Sequence, residues 1–375
     1  MRKYSVEDVL RVAKRHNNKK RSYLLVNPLQ GKHLPVSPTA AIEMMQTLGE
    51  KISAKVPNAK LVVGFAETAT AIGAIVAEKN PDCFYIHTTR ENYSTECNVI
   101  NFFEEHSHAP EQKLYTKNFC EMLKKTSAVI FVDDELTTGK TLLNIIRQLK
   151  TKFPELGEKN LIAASIINRL SKENERRLAE ENIFCEYLVK ISDEKVFNVD
   201  DIKIQSAETL TPTKNFPAKF SYRQLKILSN PRFGVSIGEY FNQCENVGER
   251  LEEIFNEENI SQKNSVLIVG TEECMLPALI AGRHLEQKNF SVVTHATTRS
   301  PIGISNAENY PIREGFTLRS FYDTERTTYI YNLKNYDAVV ILSDAENFRD
   351  EAVGDLISAI EIHGCKKIIF IGVLK

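Results

Sequence analysis

The sequence predicts an α/β protein of two tandem domains, each built on a parallel sheet flanked by helices. Short apolar runs alternate with helical stretches along the chain, which is typical of parallel sheets. The run at 128–132 (AVIFV) is continuously apolar, as expected for a strand covered on both faces. A chain of 375 residues is long enough for two or three domains of roughly 150 residues each.

An internal repeat is the third observation behind the two-domain prediction. LVVGFAETATAIGAIVAE resembles VLIVGTEECMLPALIAGRHLE, HTTRE resembles HATTRSP, and AVIFVDD resembles AVVILSD, in the same order and at nearly constant separation. These matches align Gly64 with Gly270, Arg90 with Arg299, and Asp134 with Asp344. They indicate duplication of one domain, although two independent domains of a common fold remain an alternative.

The individual elements follow from the apolar spacing. A segment rich in Pro and Thr at 204–219 is expected to link a first domain at 1–203 to a second at 220–375. The expected strands of the first domain are 23–26, 61–63, 83–86, 128–132 and 161–167, and the expected helices are 5–15, 39–52, 69–78 and 140–149.

Composition and charge exclude several classes of protein. The formal net charge is -1, which gives no support for nucleic-acid binding. The seven cysteines form no C-x-x-C pair, which argues against a zinc site or a disulfide scaffold. No stretch approaches the roughly 18 apolar residues of a membrane helix, and the N-terminal segment lacks the apolar core of a signal peptide. We therefore expect a soluble cytoplasmic protein without nucleic-acid or membrane partners.

The strongest motif is VDDELTTGKT at residues 132–141, which we call the acid-pair loop. It lies between an apolar strand and a helix, where α/β sheets bind ligands. Asp133 and Asp134 are adjacent carboxylates that can accept hydrogen bonds from the two vicinal hydroxyls of a ribose. The segment 137–141 then offers backbone N–H groups, three hydroxyls and the helix dipole to a phosphate, and Gly139 permits close backbone approach.

The same residues allow two other interpretations of this loop. A nucleoside triphosphate P-loop requires Gly five residues before Gly139, but Asp134 occupies that position and would repel phosphates. An acidic turn that merely caps a helix is the remaining structural alternative.

The acid-pair loop resembles the phosphoribosyl pyrophosphate loop of type I phosphoribosyltransferases. Thr298-Arg299-Ser300-Pro301 supplies a further signature, and the chain is identified as similar to the bacterial family that joins a phosphoribosyltransferase domain to a C-terminal TRSP domain. This resemblance implies two type I phosphoribosyltransferase-like domains, the second degenerate, and a connection with tellurium resistance and the stress response.

The resemblance also implies roles for individual residues. Asp133, Asp134 and Arg90 would be catalytic, with magnesium as cofactor, although no metal ligand is directly assigned. Arg90 could instead pair with a surface acid, and the 66–69 loop could be an ordinary turn capped by Thr68. The residues implied to bind phosphoribosyl pyrophosphate are Glu135, Leu136, Thr137, Thr138, Gly139, Lys140 and Thr141, and those implied to bind its pyrophosphate are Ala66, Glu67, Thr68 and Ala69.

Two further segments are candidates for contact with substrate. The stretch at 102–110 lacks clear periodicity and could form a lid, with His106, Ser107 and His108 facing the reaction. A weak metal site or a pair of surface histidines would explain the same residues. Lys32 and His33 could meet a phosphate, or they could belong to a plain connector rich in Pro and Gly.

The second half departs from the motif of the first. Residues 343–351 (SDAENFRDE) lack the acid pair and the Thr- and Gly-rich cradle, so this half is not expected to bind phosphoribosyl pyrophosphate in the usual way. Its candidate anion-binding residues are Thr298, Arg299 and Ser300, with the segment 230–234 as a second candidate.

The resulting hypothesis is a magnesium-dependent phosphoribosyltransferase, a pentosyl-type glycosyltransferase that makes a nucleotide or nucleoside-like metabolite from phosphoribosyl pyrophosphate and an unknown acceptor. A non-catalytic sensor of nucleotides or phosphoribosyl pyrophosphate, and nucleotide pyrophosphorolysis in the reverse direction, are the alternatives. A phosphoribosyl pyrophosphate synthase is disfavoured because its acid-pair loop belongs to the second domain. Type I transferases often pair, so a homodimer is also expected.

Overall fold

A computed structural model describes residues 2–16, 22–93, 98–102, 112–210, 220–365 and 367–374. The chain forms two compact units. The first contains Met1–Val6, Glu43–Val196 and Ser229–Asn242, and the second contains Glu7–Ile42, Phe197–Leu228 and Gln243–Lys375. This division differs from the boundaries expected at 203 and 220, because Glu7–Ile42 belongs to the second unit and Ser229–Asn242 belongs to the first.

The helices and strands alternate as expected. The helices are α1 (Val6–Val9), α2 (Pro38–Lys55), α3 (Thr70–Glu78), α4 (Phe119–Lys124), α5 (Lys140–Lys152), α6 (Lys172–Glu180), α7 (Ile237–Glu257), α8 (Leu276–Gln287) and α9 (Asp350–Ile362). The strands are β1 (Arg11–Lys14), β2 (Tyr23–Val26), β3 (Leu61–Gly64), β4 (Phe84–His87), β5 (Val99–Phe102), β6 (Gln112–Tyr115), β7 (Ala128–Leu136), β8 (Asn160–Asn168), β9 (Ile183–Lys190), β10 (Glu208–Thr209), β11 (Phe220–Leu228), β12 (Val235–Ser236), β13 (Ser265–Gly270), β14 (Ser291–Ala296), β15 (Gly315–Arg319), β16 (Thr327–Tyr331), β17 (Ala338–Ser343) and β18 (Lys367–Leu374). No helix among the described residues is long and apolar enough to cross a membrane.

The first unit is built on a six-stranded sheet in the order β12-β4-β3-β7-β8-β9. All neighbours are parallel except β12, which pairs antiparallel with β4. Strand β7 is longer than predicted. It continues beyond residue 132 to Leu136, and Asp133 lies opposite Ser165 of β8. The acid pair therefore belongs to the end of a strand and not to a free turn.

Two glycines allow α3 to approach the end of β3. A Cβ atom on Gly64 would lie 2.8 Å from the Tyr85 hydroxyl and 3.1 Å from the Ala69 carbonyl oxygen. A Cβ on Gly73 would lie 3.0 Å from the Cα of Gly64. A Cβ at either position would push these neighbours apart, so the two glycines allow α3 to pack closely where β3 turns into the 66–69 loop.

The second unit repeats this arrangement. Its main sheet has the order β11-β18-β17-β13-β14, and all of its strand pairs are parallel. Strands β14-β13-β17-β18 follow one another in space as β4-β3-β7-β8 do in the first unit, and each unit adds an antiparallel hairpin, β5–β6 or β15–β16. The predicted α/β class with parallel sheets flanked by helices is thereby confirmed.

The N-terminal segment differs from its prediction. The prediction of an amphipathic helix at 5–15 is wrong. Only the short helix α1 forms there, and strand β1, which follows it, pairs antiparallel with β2. Ala13 and Val26 are buried in an apolar cluster with Ile302 and Tyr310. Pairing with a distant partner outweighed local helix propensity, as tertiary context commonly does.

The segment expected as a linker is partly structured. Gln205 donates its backbone N–H to the carbonyl of Ile304, and β10 pairs in parallel with β15 of the second unit. Residues 211–219 of the expected linker lie outside the described residues.

Lys32 and His33 lie in the second unit, where both are buried. The Lys32 ammonium donates to the backbone carbonyls of Glu272 (2.7 Å) and Thr297 (2.9 Å). Both side chains are therefore enclosed within the second unit, and their contact with a substrate stays a prediction. Their segment is held by the antiparallel bridge between Val36 and Thr294, which no local sequence pattern reveals.

Buried histidines make the second unit sensitive to acid. Burial, reinforced by the positive charge of Lys32, lowers the pKa of His33 to about 3. Burial also lowers the pKa of His295 to about 4. Both rings are therefore neutral in the folded protein near pH 7, whereas in the unfolded chain they take up protons below about pH 6.5.

We predict that stability falls as the pH drops from about 6.5 towards 4, because the unfolded state then binds protons that the folded state does not. Each histidine contributes a slope of up to about 1.4 kcal/mol per pH unit. Urea unfolding at about pH 7, 6 and 5 measures this slope, and a His33→Gln variant should show a shallower one. Equal slopes in the variant and the wild type would contradict the assignment.

Candidate functional site

The carboxyl ends of three adjacent strands define the candidate site in the first unit. Gly64 of β3 lies between His87 of β4 and Val132 of β7 in register. The loops that follow these strands therefore begin at the same edge of the sheet, which is where α/β proteins bind ligands. The sequence predicts site residues in each of the loops that follow β3, β4 and β7.

The acid pair lies just beyond the point where β3 ends. Asp133 and Asp134 are both half-buried, and the backbone N–H of Asp134 donates to the Asp133 carboxylate at 2.9 Å. Strand β7 pairs with β3 only as far as Val132, which lies opposite Gly64, and then continues along β8. Asp133 and Asp134 therefore lie just past the end of β3.

The second carboxylate is bonded to that loop. The Thr68 hydroxyl donates to Oδ1 of Asp134 at 2.8 Å. The N-cap residue of α3 is Ala69, so Thr68 lies one residue before the capping position.

The Thr- and Gly-rich part of the acid-pair loop opens α5 as predicted. Gly139 has φ 68°, in the left-handed region, and a Cβ there would lie 3.3 Å from Leu178 and 3.4 Å from Leu170. Thr137 and Thr141 are half-buried, whereas Thr138 and Lys140 are exposed. Most of this stretch is therefore accessible to a ligand at a helix N-terminus.

Two residues assigned to phosphoribosyl pyrophosphate contact lie on β7 itself. Leu136 is buried in the apolar core of the first unit, and its carbonyl accepts a hydrogen bond from the backbone N–H of Arg169. Its side chain therefore packs in the core of the unit, and its assignment to donor binding stays a prediction. Glu135 is half-buried, and its backbone pairs with Ile167.

The 66–69 loop is held more tightly than the sequence suggested. The backbone N–H of Ala66 donates to the Thr88 hydroxyl at 2.8 Å, and that of Ala69 donates to the Phe65 carbonyl at 3.0 Å. Of the four residues whose backbone N–H groups were expected to bind pyrophosphate, Ala66 and Ala69 therefore already have acceptors within the protein.

Thr88 connects the 66–69 loop to the β5–β6 hairpin. Its buried hydroxyl donates to Oε1 of Gln112, the first residue of β6, at 2.9 Å. Arg90 follows two residues later and is half-buried beyond the end of β4. The sequence of this segment draws attention to Arg90 but gives no sign of the bond between Thr88 and Gln112, because a buried hydroxyl bond leaves no local pattern.

The expected lid residues His106, Ser107 and His108 lie outside the described residues. Strands β5 and β6 flank their segment.

The segment at 230–234, assigned to the second half, belongs to the first unit. It forms a 3₁₀ turn at Pro231–Phe233, and Arg232 is completely buried with its guanidinium 5.6 Å from the ring centroid of Tyr93. The rings of Tyr93, Tyr115 and Phe233 meet edge to face at 5.2–5.8 Å. This segment is therefore a packing element beside β4, with which β12 pairs.

The signature residues of the second unit are bonded inside the protein. The Arg299 guanidinium contacts Glu272 (2.9 Å) and Glu273 (3.1 Å), and its side chain is largely buried. Thr298 is buried and pairs with Tyr329 through its backbone, and the Ser300 carbonyl accepts the Tyr331 hydroxyl. Arg299 thus helps to neutralise two buried carboxylates, which is a structural role. The sequence had indicated only a possible role in anion binding.

The residues of the second unit that align with the acid-pair loop are likewise hydrogen-bonded within the protein. Ser343 and Asp344 are buried at the end of β17, and the Tyr322 hydroxyl is bonded to Asp344. Tyr322 also lies 2.9 Å from the Thr271 hydroxyl.

Comparison with known proteins finds two family models that match successive parts of the chain. A family model described as phosphoribosyl transferase matches residues 9–192, and one described as the TRSP domain C-terminal to that transferase matches residues 229–360. The chain belongs to the two-domain phosphoribosyltransferase–TRSP family. No curated protein matches it at a significant level.

Solved adenine phosphoribosyltransferases are similar to about half of the chain. The enzyme of Giardia lamblia, complexed with 9-deazaadenine, is 17% identical, with a TM-score of 0.36, over 50% of this chain and 98% of its own. That of Leishmania tarentolae is 16% identical, with a TM-score of 0.36, over 49% and 85%. That of Trypanosoma brucei, in complex with AMP, pyrophosphate and ribose-5-phosphate, is 14% identical, with a TM-score of 0.36, over 52% and 84%.

Replacing Arg299 tests its structural role. Arg299→Met removes one guanidinium from Glu273 and leaves Glu272 paired with Arg326 at 3.2 Å, so we predict a loss of about 3 kcal/mol in the free energy of unfolding. The matched control is Arg250→Met, which breaks the pair with Glu253. Both side chains of that pair are more than half exposed, so a loss of less than about 1 kcal/mol is expected. Chemical denaturation measures both, and similar losses in the two variants would contradict the role.

Proposed function

We propose that the first unit is a magnesium-dependent phosphoribosyltransferase that uses phosphoribosyl pyrophosphate to make a nucleotide or nucleoside-like product. The observation that carries the proposal is the hydrogen bond between Thr68 and Asp134. It joins the 66–69 loop to the acid-pair loop at the carboxyl edge of the sheet. Membership of the phosphoribosyltransferase–TRSP family supports the same reaction class.

The parts of the donor match the parts of the site. The half-buried carboxylates of Asp133 and Asp134 would accept hydrogen bonds from the ribose hydroxyls. The stretch 137–141 would hold the 5′-phosphate with hydroxyls, backbone N–H groups and the N-terminus of α5. Arg90 and the 66–69 loop would contact the pyrophosphate, since a guanidinium can bind two phosphate oxygens at once.

The reaction needs no nucleophilic side chain. The bond between C1 of the ribose and the pyrophosphate oxygen breaks, and its electron pair leaves with pyrophosphate. The acceptor donates a lone pair to C1 and gives up its proton. Positive charge develops on the sugar meanwhile, and the carboxylates of Asp133 and Asp134 favour it electrostatically.

Magnesium fits the donor set of this site. It is a hard cation that prefers oxygen ligands and is commonly held by one or two carboxylates together with substrate phosphates. Asp133 and Asp134 are the residues that would hold it. When bound, it would neutralise charge on the leaving group.

Calorimetric titration of phosphoribosyl pyrophosphate, with and without magnesium, tests the proposal. We predict magnesium-dependent binding to the wild type and its loss in an Asp133→Asn/Asp134→Asn variant. An Asp200→Asn/Asp201→Asn variant is the matched control, because it makes the same chemical change at an adjacent, exposed pair of aspartates in the second unit and should bind normally. Absence of binding by the folded wild type would remove the donor assignment.

A further inference from the structure

Thr68 immediately precedes Ala69, the N-cap residue of α3. Its hydroxyl donates at 2.8 Å to Oδ1 of Asp134, a residue 66 positions further along the chain. A hydrogen bond to a carboxylate is stronger than one between neutral groups.

The rest of the loop is fixed independently of that bond. The backbone N–H of Phe65 donates to the carbonyl of Val132 at 2.9 Å, and the N–H of Ala66 donates to the Thr88 hydroxyl. The loop therefore has a defined path between β3 and α3 without Thr68. What the Thr68 hydroxyl adds is a fixed direction for one oxygen of Asp134.

The second unit has a related bond at the equivalent carboxylate. Asp344, which aligns with Asp134, accepts a hydrogen bond from the Tyr322 hydroxyl. Tyr322 comes from the segment between β15 and β16, and not from the loop after β13. In both units a hydroxyl of the protein therefore holds this carboxylate, although different elements supply it.

We propose that Thr68 is a positioning residue that orients Asp134 for the ribose hydroxyls of the donor and so couples ribose recognition to the loop that faces the leaving group. The proposal rests on the proposed function of the first unit. With the Thr68 hydroxyl on one oxygen, the other oxygen of Asp134 is directed towards the sugar. Removal of the hydroxyl lets the carboxylate rotate, and a rotated carboxylate binds the ribose less well.

The test compares Thr68→Val, which keeps the shape of the side chain but removes the hydroxyl, with Thr68→Ser, which keeps the hydroxyl. Calorimetry with ribose 5-phosphate, 2-deoxyribose 5-phosphate and magnesium pyrophosphate separates the parts of the donor. Thr68→Val should weaken ribose 5-phosphate, measured without magnesium, about tenfold, and should weaken magnesium pyrophosphate by a smaller factor. Thr68→Ser should restore ribose 5-phosphate binding, and thermal unfolding confirms that each variant is folded.

A double-mutant cycle with Asp134→Ala identifies the partner. If Thr68 acts through Asp134, Thr68→Val should have no further effect on ribose 5-phosphate binding once Asp134 is replaced. The preference of the wild type for ribose 5-phosphate over its 2-deoxy analogue should also shrink in Thr68→Val.

The outcomes separate this inference from the function on which it rests. Binding by the wild type together with unchanged binding by Thr68→Val, or additive effects in the cycle, would overturn the role of Thr68 and leave the transferase proposal standing. Equal weakening in Thr68→Val and Thr68→Ser would also overturn it, because the hydroxyl would not be the cause. No binding by the wild type would overturn both.

Discussion

The close approach of backbone at the end of β3 is the constraint on which the candidate site depends. Gly64 leaves no room for a side chain between Tyr85 and the Ala69 carbonyl, and Gly73 of α3 packs against it. This contact brings the 66–69 loop directly beside the end of β7. The same constraint holds in the second unit, where a Cβ on Gly270 would lie only 2.2 Å from the Cys274 carbonyl oxygen. Each unit therefore has the same sharp turn at the same edge of its sheet.

The two units use that edge differently. In the first, half-buried carboxylates and an accessible helix N-terminus follow the strands, an arrangement that suits a sugar phosphate. In the second, Arg299 neutralises Glu272 and Glu273, and Tyr322 is bonded to Asp344, so the polar groups are bonded to one another. Such a buried ionic cluster is destabilised strongly when one partner is lost. The two units thus share this backbone geometry, while the side chains at this edge of the sheet differ.

Local patterns in the sequence predicted much of the fold and the main loop of the site. The apolar run before Asp133, the Thr- and Gly-rich stretch after it, and the repeat that aligns Gly64 with Gly270 all depend on residues adjacent in sequence. Contacts between distant segments escaped prediction. The partners of Lys32 lie about 240 residues away, so its burial has no local signal, and Thr68 has the sequence environment of a helix cap although its hydroxyl is bonded to Asp134.

A crystal structure of the protein with phosphoribosyl pyrophosphate and magnesium would test the central claim most directly. The account predicts the ribose hydroxyls at Asp133 and Asp134, the 5′-phosphate at residues 137–141, and the pyrophosphate beside the 66–69 loop. Density for the donor at Arg299 of the second unit, or the donor bound in the first unit away from the acid pair, would contradict it.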